Sequence, residues 1–390
     1  MKNNVLPFWE KYIAYLSSLN DVVARLITNL TRVNPRNISE VARATGLSPS
    51  LAHYHLKRLI NKKLLKIRAK VNYLRIGLRP AEIFIDCQPN KRNHVLEVLL
   101  SNDYCRYVAP CFGRYNGFYL RATIPIGREV EFGLFLDEMV RHNLIKNYSL
   151  NWIDFIKDIS RGFYWFNFKE KNWIFRWNDW IKEVLNSSIN GINLKTYNGN
   201  IEFKPDFIDI FILKELEKNA LVSFNEMAKK LNVTPPAIRY HYYQHVLRYG
   251  FINGYRPLIF PYPYVISDMF VFKVIFPNSM LMMKFINSLN GKPFATSVAK
   301  IAGRNELSVN IHLIKTEFLN FINSLLRMAE SGIIQDFNYV LLDIKSYKHR
   351  TIPYECFIND RWVYNHKKYM QKIEMVSLKL SRIKQTTATK

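Results

Sequence analysis

One sequence pattern occurs twice in this chain, and it constrains the fold more than any other feature. Residues 38–66 read ISEVARATGLSPSLAHYHLKRLINKKLLK, and residues 224–252 read FNEMAKKLNVTPPAIRYHYYQHVLRYGFI. When the two stretches are aligned position by position, the apolar positions coincide without a gap, although only five positions are identical. The coinciding pairs include Ile38 and Phe224, Val41 and Met227, Ala42 and Ala228, Leu47 and Val233, and Leu65 and Phe251. We therefore expect two copies of one folding unit.

Each copy has the signals of a helix, a tight turn and a second helix. In the first copy Gly46 suits the turn because glycine accepts positive φ. Ser48 then suits the helix start, since serine caps a helix and the proline that follows it loses no hydrogen bond there. Thr234 repeats that start in the second copy, with Asn232 in the turn. Residues 65–74 alternate apolar and polar side chains, which is typical of the strand of a winged helix.

The charge of the chain favours a polyanionic partner. Lysine and arginine number 56 against 31 aspartate and glutamate, which gives a formal net charge of +25 and a pI near 9.8. Residues 36–80 contain eleven Lys/Arg and one acidic residue, Glu40. Nucleic acid is the commonest partner of such a basic surface. We predict double-stranded DNA as the partner; a generally basic proteome is the alternative explanation.

The cysteines and the hydropathy of the chain restrict the cellular compartments in which we expect the protein. The four cysteines show no CxxC pairing, which is typical of buried thiols in a reducing environment. No apolar run approaches the roughly 18 residues of a membrane span, and the N-terminal segment lacks the cleavage site of a signal peptide. We expect a cytoplasmic, nucleoid-associated protein with no membrane partner. Its Lys, Ile, Asn and Tyr content suggests an archaeal source.

Sequence motifs give no support for an enzyme or a metal site. The patterns GxxxxGK[ST], GxSxG and HExxH are all absent. His53 and His55, and likewise His241 and His245, have spacings that metal ligands use, but no third ligand lies close in the sequence. We interpret these histidines as core or DNA-facing residues. The prediction is no metal, no cofactor and no enzymatic activity.

A pattern of six elements follows each copy of the repeated unit. The first run is predicted as strand 82–87, helix 91–100, strand 104–112, strand 117–124, helix 128–142 and strand 145–152. The second is predicted as strand 269–276, helix 280–289, strand 294–301, strand 307–313, helix 316–330 and strand 334–343. This βαββαβ order is the ferredoxin-like plan. The predicted fold class is α+β: two winged helix-turn-helix domains, each followed by a ferredoxin-like domain, by internal duplication.

We divide the chain into six segments. They are an N-terminal helix with the first winged helix-turn-helix (1–80), a ferredoxin-like domain (81–154), an aromatic connector (155–203), the second winged helix-turn-helix (204–264), a second ferredoxin-like domain (265–345) and a basic C-terminal tail (346–390). The connector and the tail are predicted to lie outside the repeat. Hydrophobic packing between the two halves is the favoured role of the connector. Stacking on unpaired bases and lining a ligand pocket are the alternatives.

Four stretches of the chain resemble the Lrp/AsnC family of regulators. LSPSLAHYHLKRLINKKLLK and VTPPAIRYHYYQHVLRYGFI are similar to the family's recognition helix, VNYLRIGLRPAEIFIDC to its wing and first strand, and CFGRYNGFYLRATI to its glycine-containing hairpin. The resemblance implies a winged helix-turn-helix followed by a βαββαβ domain, here as a tandem fusion. It also implies dimerisation through the βαββαβ domains, which a tandem chain can form internally as a pseudo-dimer, with a homodimer as a further assembly.

Departures from the family's sequence pattern leave several ligands possible for this chain. His55 and His241 stand where the family usually has arginine, and Asn116 and Asn305 stand near its usual acidic residue after the hairpin glycine. A small-molecule effector at the ferredoxin-like domains is what the resemblance implies. Siroheme decarboxylases look like the same family, so an enzyme of that kind is a further alternative. The residues that would hold tetrapyrrole carboxylates are then Arg106, Arg114 and His142.

Helical spacing separates a buried stripe from an exposed stripe in both recognition segments. The buried stripes are Leu47, Ala52, Leu56 and Leu59 in the first copy and Val233, Ile238, Tyr242 and Val246 in the second. The predicted DNA-binding residues are Ser50, His53, Tyr54, Lys57, Arg58, Arg68 and Lys70 in the first copy and Arg239, Tyr240, Tyr243, Gln244, Arg248 and Arg256 in the second. We expect Arg239 and Gln244 to read bases, and Lys57, Arg58 and Arg248 to hold phosphates.

The exposed positions differ between the copies, which predicts two unlike half-sites. The predicted function is therefore sequence-specific transcription regulation by a pseudo-dimer. A sequence-tolerant chromatin or architectural protein is the alternative. The second copy has fewer basic residues in its helix and a proline-rich IFPYPY at its wing. It is alternatively an architectural unit that no longer contacts DNA.

Overall fold

The chain combines α-helices and β-strands in a computed structural model that describes residues 6–159, 162–187, 203–259 and 262–388. Its α-helices are α1 Leu6–Ser18, α2 Asp21–Asn29, α3 Ile38–Thr45, α4 Pro49–Asn61, α5 Arg92–Ser101, α6 Glu129–Arg141, α7 Trp177–Asn186, α8 Phe207–Lys218, α9 Phe224–Leu231, α10 Pro235–Tyr240, α11 Ser279–Ser288, α12 Phe318–Glu330 and α13 His366–Ala388. A π-helical segment, His241–Leu247, continues α10.

The strands fall into one large sheet and several short pairs. They are β1 Lys66–Val71, β2 Leu78–Asp86, β3 Cys105–Gly113, β4 Gly117–Pro125, β5 Asn147–Asp158, β6 Phe166–Asn167, β7 Asn172–Trp173, β8 Ile252–Leu258, β9 Ser267–Ile275, β10 Ala295–Ile301, β11 Glu306–Ile314, β12 Asp336–Leu342, β13 Lys348–His349, β14 Phe357–Ile358 and β15 Arg361–Trp362. Each element predicted for the two six-element runs overlaps one of these strands or helices.

Two segments have the helix, turn and helix that the repeated pattern predicts. We call α2, α3, α4 and β1 the first unit, and α8, α9, α10, the π-helical segment and β8 the second unit. In the first unit Gly46 has a φ of 67° and the Ser48 side chain accepts a hydrogen bond from the Leu51 N–H, as predicted. In the second unit Asn232 has a φ of 55° and Thr234 caps α10 in the same manner.

The strands β1 and β8 pair with each other and form the paired wings. The pairing is antiparallel, with Lys66 opposite Leu258 and Val71 opposite Ile252. The sequence analysis assigned a separate wing to each unit, but each unit supplies one strand to a shared ribbon. The physical reason is burial, because Ile67 and Ala69 are buried on a strand that packs against β8 and α8 of the other unit.

Eight strands form the closed sheet, in the order β12-β9-β11-β10-β5-β2-β4-β3. A further pairing of β12 with β3 joins the two ends, with Leu341 opposite Phe112. Side chains alternate across each strand. Ile83 and Ile85 therefore lie in the core that the helices cover, whereas Phe84 packs inside the closed sheet with Tyr119. Residues 78–158 supply four consecutive strands of this order, and residues 267–342 supply the other four.

The connector and the tail have a common order, a short hairpin followed by a helix. In the connector β6 and β7 precede α7, and in the tail β14 and β15 precede α13. The helix α7 packs on α11 and α12, whereas α13 packs on α5 and α6. The sequence analysis placed both segments outside the repeat, as an aromatic connector and a basic tail. Residues 160–161 and 188–202 of the connector lie outside the described residues.

Aromatic side chains of the connector build the core around the second run of helices. Trp165 and Trp180 are at most 1% exposed. The Trp180 ring stacks on Phe321 with centroids 5.7 Å apart, and Phe294 lies 5.0 Å away. These rings are therefore packed within the protein rather than offered to unpaired bases. Among the described helices, none has the length and apolar character required to cross a membrane.

Candidate functional site

The helix α4 presents a polar face away from the core. Its buried side chains are Ala52, Leu56 and Leu59. Its exposed side chains include Ser50, His53, Tyr54, Lys57 and Arg58. The exposed set contains all five residues that the sequence analysis assigned to DNA from this helix. Leu47, expected in the buried stripe, is half-buried.

The recognition segment of the second unit presents aromatic and polar side chains. Ile238, Tyr242 and Val246 are fully buried, as the helical spacing predicted, and Val233 is half-buried. The exposed side chains are Arg239, Tyr240, Tyr243, Gln244 and Arg248. From His241 onward the segment is π-helical rather than α-helical, a feature that often marks functional positions. Sequence spacing alone gave no signal of this change.

The two units contact each other directly beside their recognition segments. Asn34 of the first unit donates a hydrogen bond of 3.0 Å to the Tyr242 hydroxyl. The guanidinium of Arg36 lies over the rings of Phe224 and Tyr242, at 4.8 and 5.4 Å from their centroids, and donates to the Val222 carbonyl. The exposed faces of α4 and of the second segment are therefore held in a defined relation by contacts between the units.

The basic residues predicted to contact DNA from the wings, Arg68, Lys70 and Arg256, border a cavity. Asp158, at the end of β5, is buried and forms ion pairs with Lys70 at 3.3 Å and with Arg256. Burial alone would raise the pKa of Asp158, but Arg256 and Lys70 outweigh it and lower the pKa below its usual value. Lys70 and Arg256 thus have a partner within the protein, and DNA contacts of Arg68, Lys70 and Arg256 stay a prediction.

That cavity lies between the paired wings and the closed sheet. Its volume is about 1950 Å³, and β1, β8 and the neighbouring ends of the sheet strands line it. Ten lysine and arginine side chains border it, including the exposed Arg248. The four acidic residues that border it are Glu82, Asp154, Asp158 and Glu217. The excess of positive charge suits a ligand with several anionic groups.

One wall of the cavity is an ion pair buried between the two halves. Arg106 on β3 pairs with Glu217 on α8, and both side chains are at most 8% exposed. Tyr73 donates a hydrogen bond of 2.5 Å to the same carboxylate, and the Ile352 N–H donates another of 2.9 Å. Burial would raise the pKa of Glu217, but Arg106 and these hydrogen bonds outweigh it and lower the pKa. Arg106 is therefore committed to a partner within the protein.

Other cations of the cavity remain available for an anion. The Nε of Arg68 is buried without a hydrogen-bond partner in the described part of the chain. Burial, followed by the nearby charge of Arg256, lowers the pKa of Arg68. Burial also lowers the pKa of Lys157, with Arg32 and Lys70 adding to the effect. A bound anion would relieve this crowding of positive charge.

The residues proposed for tetrapyrrole carboxylates in the sequence analysis are not brought together. Arg114 is exposed in the hairpin between β3 and β4, and His142 lies 3.0 Å from Glu138 on α6. Neither borders the cavity, and Arg106 does so while paired to Glu217. The sequence analysis did not place Arg68 and Lys157 together on the lining of a cavity. They come from segments far apart in the sequence, and local patterns carry no signal for such a juxtaposition.

Comparison with known proteins adds two findings. Residues 34–66 match a family described as "Winged helix-turn-helix DNA-binding", and this range contains α3 and α4 of the first unit. Among curated proteins, no significant sequence match exists. A crystal structure of the siroheme decarboxylase NirDL, also solved with an iron-uroporphyrin III analogue, superimposes on 93% of this chain and 100% of its own, with a TM-score of 0.54 and 10% identity.

A second solved structure, of AsnC from E. coli, covers 39% of this chain and 99% of its own, with a TM-score of 0.29 and 20% identity. The likeness to NirDL extends over nearly the whole chain and concerns the fold. The sequence analysis predicted that the chain is not an enzyme. The NirDL comparison contradicts that prediction, because the solved structure that shares the fold over 93% of the chain is an enzyme.

Proposed function

We propose that this protein is a DNA-binding transcription regulator that contacts duplex DNA through two unlike recognition segments. The observation that carries the proposal is the pairing of β1 with β8, which joins two exposed recognition faces in one chain. The match of residues 34–66 to a DNA-binding family supports the first face. The formal net charge of +25 supports a polyanionic partner.

In this proposal the chain is an internal pseudo-dimer of two tandem copies. The two halves of the closed sheet have the same strand order, in which the fourth strand of the half is followed by its first, third and second. This order is β5-β2-β4-β3 in the first half and β12-β9-β11-β10 in the second. Both fit the ferredoxin-like plan, with two helices per half. The second unit then acts as a second winged helix-turn-helix. The pairings of β5 with β10 and of β12 with β3 take the place of a dimer interface.

The two faces would read different sequences. Lys57 and Arg58 suit phosphate contacts, which position a protein on DNA without selecting a sequence. Arg239 and Gln244 suit bidentate contacts with guanine and adenine. A homodimer with identical faces selects a palindrome, whereas these two faces predict an asymmetric site with unlike halves.

Selection of DNA by the purified protein tests the proposal. Random and fragmented genomic duplexes are bound at moderate salt, recovered and sequenced. We expect an enriched bipartite sequence whose unlike halves are separated by about one helical turn, or a multiple of it. Binding without enrichment would instead identify a sequence-tolerant architectural protein, and an absence of binding would refute the proposal.

A second candidate function is supported by the cavity. Its volume of about 1950 Å³ exceeds the roughly 300–1,000 Å³ of common ligand pockets. Its ten basic side chains against four acidic ones suit a macrocycle with several carboxylates. Because NirDL shares the fold, we propose as this second function the decarboxylation of a carboxylate-rich tetrapyrrole. The same cavity would serve an effector of a regulator.

The residues of the cavity supply the groups that such a reaction needs. Loss of CO₂ from an acetate side chain leaves a carbon that must take up one proton. Tyr107 borders the cavity, and burial raises its pKa to about 12, with Arg121 partly opposing the shift, so the hydroxyl keeps its proton at neutral pH. Arg68 and Lys157 would hold the carboxylates that do not react.

Titration with iron-uroporphyrin III tests this second function. We expect a saturable change in the absorption of the macrocycle and, on incubation, a product lighter by CO₂ in mass spectrometry. Arg68→Ala should weaken binding, whereas Arg43→Ala, at an exposed position on α3 away from the cavity, should not. Binding without loss of CO₂ would indicate an effector, and an unchanged spectrum would exclude both roles.

A further inference from the structure

Two core positions differ in chemical kind between the units. When the alignment of the two copies is extended toward the N-terminus, Val23 and Leu59 of the first unit correspond to Asp209 and His245 of the second. Val23 and Leu59 are each 3% exposed and belong to the apolar core, whereas Asp209 is 0% exposed. A carboxylate without access to water is costly unless a cation or several hydrogen bonds compensate it. The second unit therefore holds a buried charge where the first has ordinary apolar packing.

Three other side chains, Asp206, His241 and His245, lie around Asp209. We call these four residues the His–Asp cluster. One ligand atom of each lies within 4.8 Å of the others. Nδ1 of His241 is 2.9 Å from Asp209 Oδ1 and 3.4 Å from Asp206 Oδ2, and Nδ1 of His245 is 3.1 Å from both Asp209 oxygens. Ligands around a tetrahedral ion with bonds of about 2.0–2.1 Å are roughly 3.3 Å apart.

The local fold brings the carboxylate oxygens and imidazole nitrogens of the cluster close together. Asp206 and Asp209 stand at the start of α8, where each side chain accepts a hydrogen bond from the backbone N–H of the other. Both histidines belong to the π-helical segment, and their ring centroids are 4.6 Å apart. Phe203 lies 4.7 Å from the His245 ring and shields the cluster on one side. The histidine side chains keep 14% and 15% exposure, which leaves a route for a small ion.

We propose that the His–Asp cluster binds a divalent transition-metal ion of the zinc class. Two imidazoles and two carboxylates match the ligand types of zinc, whereas magnesium and calcium prefer oxygen ligands alone. The two carboxylate charges balance the charge of the ion. With Nδ1 bound to the ion, each neutral imidazole carries its one proton on Nε2 and no longer donates a hydrogen bond from Nδ1 to Asp209.

The ion would join α8 to the recognition segment of the second unit. Its histidine ligands alternate along that segment with Tyr240, Tyr243 and Gln244, which are exposed. Occupancy of the site would therefore fix the orientation of these side chains. This consequence for DNA rests on the proposed DNA-binding function, whereas the metal site itself does not.

A titration of the untagged, metal-free full chain tests the site without DNA. Co²⁺ is added while visible absorption is recorded, and Zn²⁺ is then added to displace it. We expect one ion per chain and an absorption typical of tetrahedral Co²⁺. The double variant Asp209→Val with His245→Leu restores the apolar pair of the first unit, so it removes two ligands while filling the core. It should bind the ion about 100-fold more weakly or worse.

The matched control changes histidines of the first unit. His53→Ala with His55→Ala should leave the titration unchanged. In the first unit the positions that correspond to Asp206 and Asp209 are occupied by Asn20 and Val23, so no carboxylate is present there to complete a site. Equal affinity of the wild type and the Asp209→Val, His245→Leu variant would overturn the proposal, as would a lack of saturable binding. Zn²⁺ should also raise the Tm of the wild type and not that of the double variant. Since no DNA is present, failure here leaves the proposed DNA-binding function untouched.

Discussion

The first and second units share a course of helix, turn and helix but differ in what fills their cores and faces. The first has Val23 and Leu59 in its core and the basic pair Lys57 and Arg58 on its face. The second has the His–Asp cluster in its core and the aromatic residues Tyr240 and Tyr243 on its face. Apolar spacing is enough to specify the backbone course, while the chemistry at individual positions is free to diverge.

The units also differ in how they are attached to the rest of the chain. Glu217 at the end of α8 is buried against Arg106 of the closed sheet. The corresponding position of the first unit is Thr31, whose hydroxyl donates a hydrogen bond to the nearby Thr28 carbonyl. At this pair of positions, the second unit has an ion pair to the sheet and the first unit has only a local hydrogen bond, and this difference can be measured.

The largest expected effect comes from breaking that attachment. Glu217→Gln leaves the charge of Arg106 buried without a counterion, so the free energy of unfolding should fall by about 3–5 kcal/mol. Thr31→Ala, the matched change in the first unit, should cost less than about 1 kcal/mol. Denaturant unfolding of both variants measures the contrast. Equal losses would mean that the two attachments do not differ.

Asp158→Asn should have the next largest effect, because this carboxylate holds Lys70 of the first unit and Arg256 of the second. We expect a loss of about 2 kcal/mol near neutral pH, less than for a fully buried pair because Arg256 is 40% exposed. The folded pKa of Asp158 is lowered, so its contribution is complete above the unfolded pKa of about 3.9 and disappears as pH falls through the folded value.

Unfolding of the wild type and Asp158→Asn at several pH values tests this dependence. The difference in unfolding free energy should be constant from neutral pH down to the unfolded pKa and shrink in more acidic solution. A difference that stays constant throughout would show that the ion pairs do not stabilise the paired wings.

On the DNA-facing side, the first unit should show the larger effect. Lys57→Ala with Arg58→Ala should lower affinity for all sequences by roughly tenfold to a hundredfold at low salt. The slope of log affinity against log salt should fall by about 1.8, or 0.9 per lost phosphate contact. Lys169→Ala with Lys182→Ala removes the same charge from exposed connector positions and serves as the control. An unaltered slope in the first variant would remove α4 from the interface.

The smallest effect is expected from a substitution on the exposed face of the second unit, and it concerns the preference of the protein for one DNA sequence over another. Arg239→Ala should reduce discrimination at one base pair by about tenfold, within the range for a bidentate arginine contact. Arg248→Ala should lower affinity evenly across sequences. If Arg239→Ala also acts evenly, then both arginines contact phosphate and the second unit does not read bases.

Local patterns predicted the elements and the buried stripes well. Ala52, Leu56 and Leu59 are buried and Lys57 is exposed because a helix repeats its face at a fixed spacing that the sequence displays. The turn at Gly46 was equally predictable, since positive φ selects glycine.

Contacts between distant segments were not predictable in this way. Arg68, Lys70 and Arg256 carry the charge and alternation of DNA-binding wings, and nothing near them in the sequence shows that the two strands pair with each other beside Asp158. Asp206 and Asp209 lie on a different helix, well before the histidines they meet, so a search for neighbouring ligands missed the His–Asp cluster. In each case the partner comes from another element, and local spacing carries no information about it.

The exchange of covering helices between the two halves bears on how the chain can be made. The helices α5 and α6 are synthesised before the whole second half of the closed sheet, and the helix that covers them, α13, follows that half. Until then an apolar surface around Phe135, which contacts Tyr369 of α13, stays open to the cell. A nascent chain of this kind would need protection from aggregation until α13 has been made. Loss of α13 would therefore destabilise the half of the closed sheet that is made first.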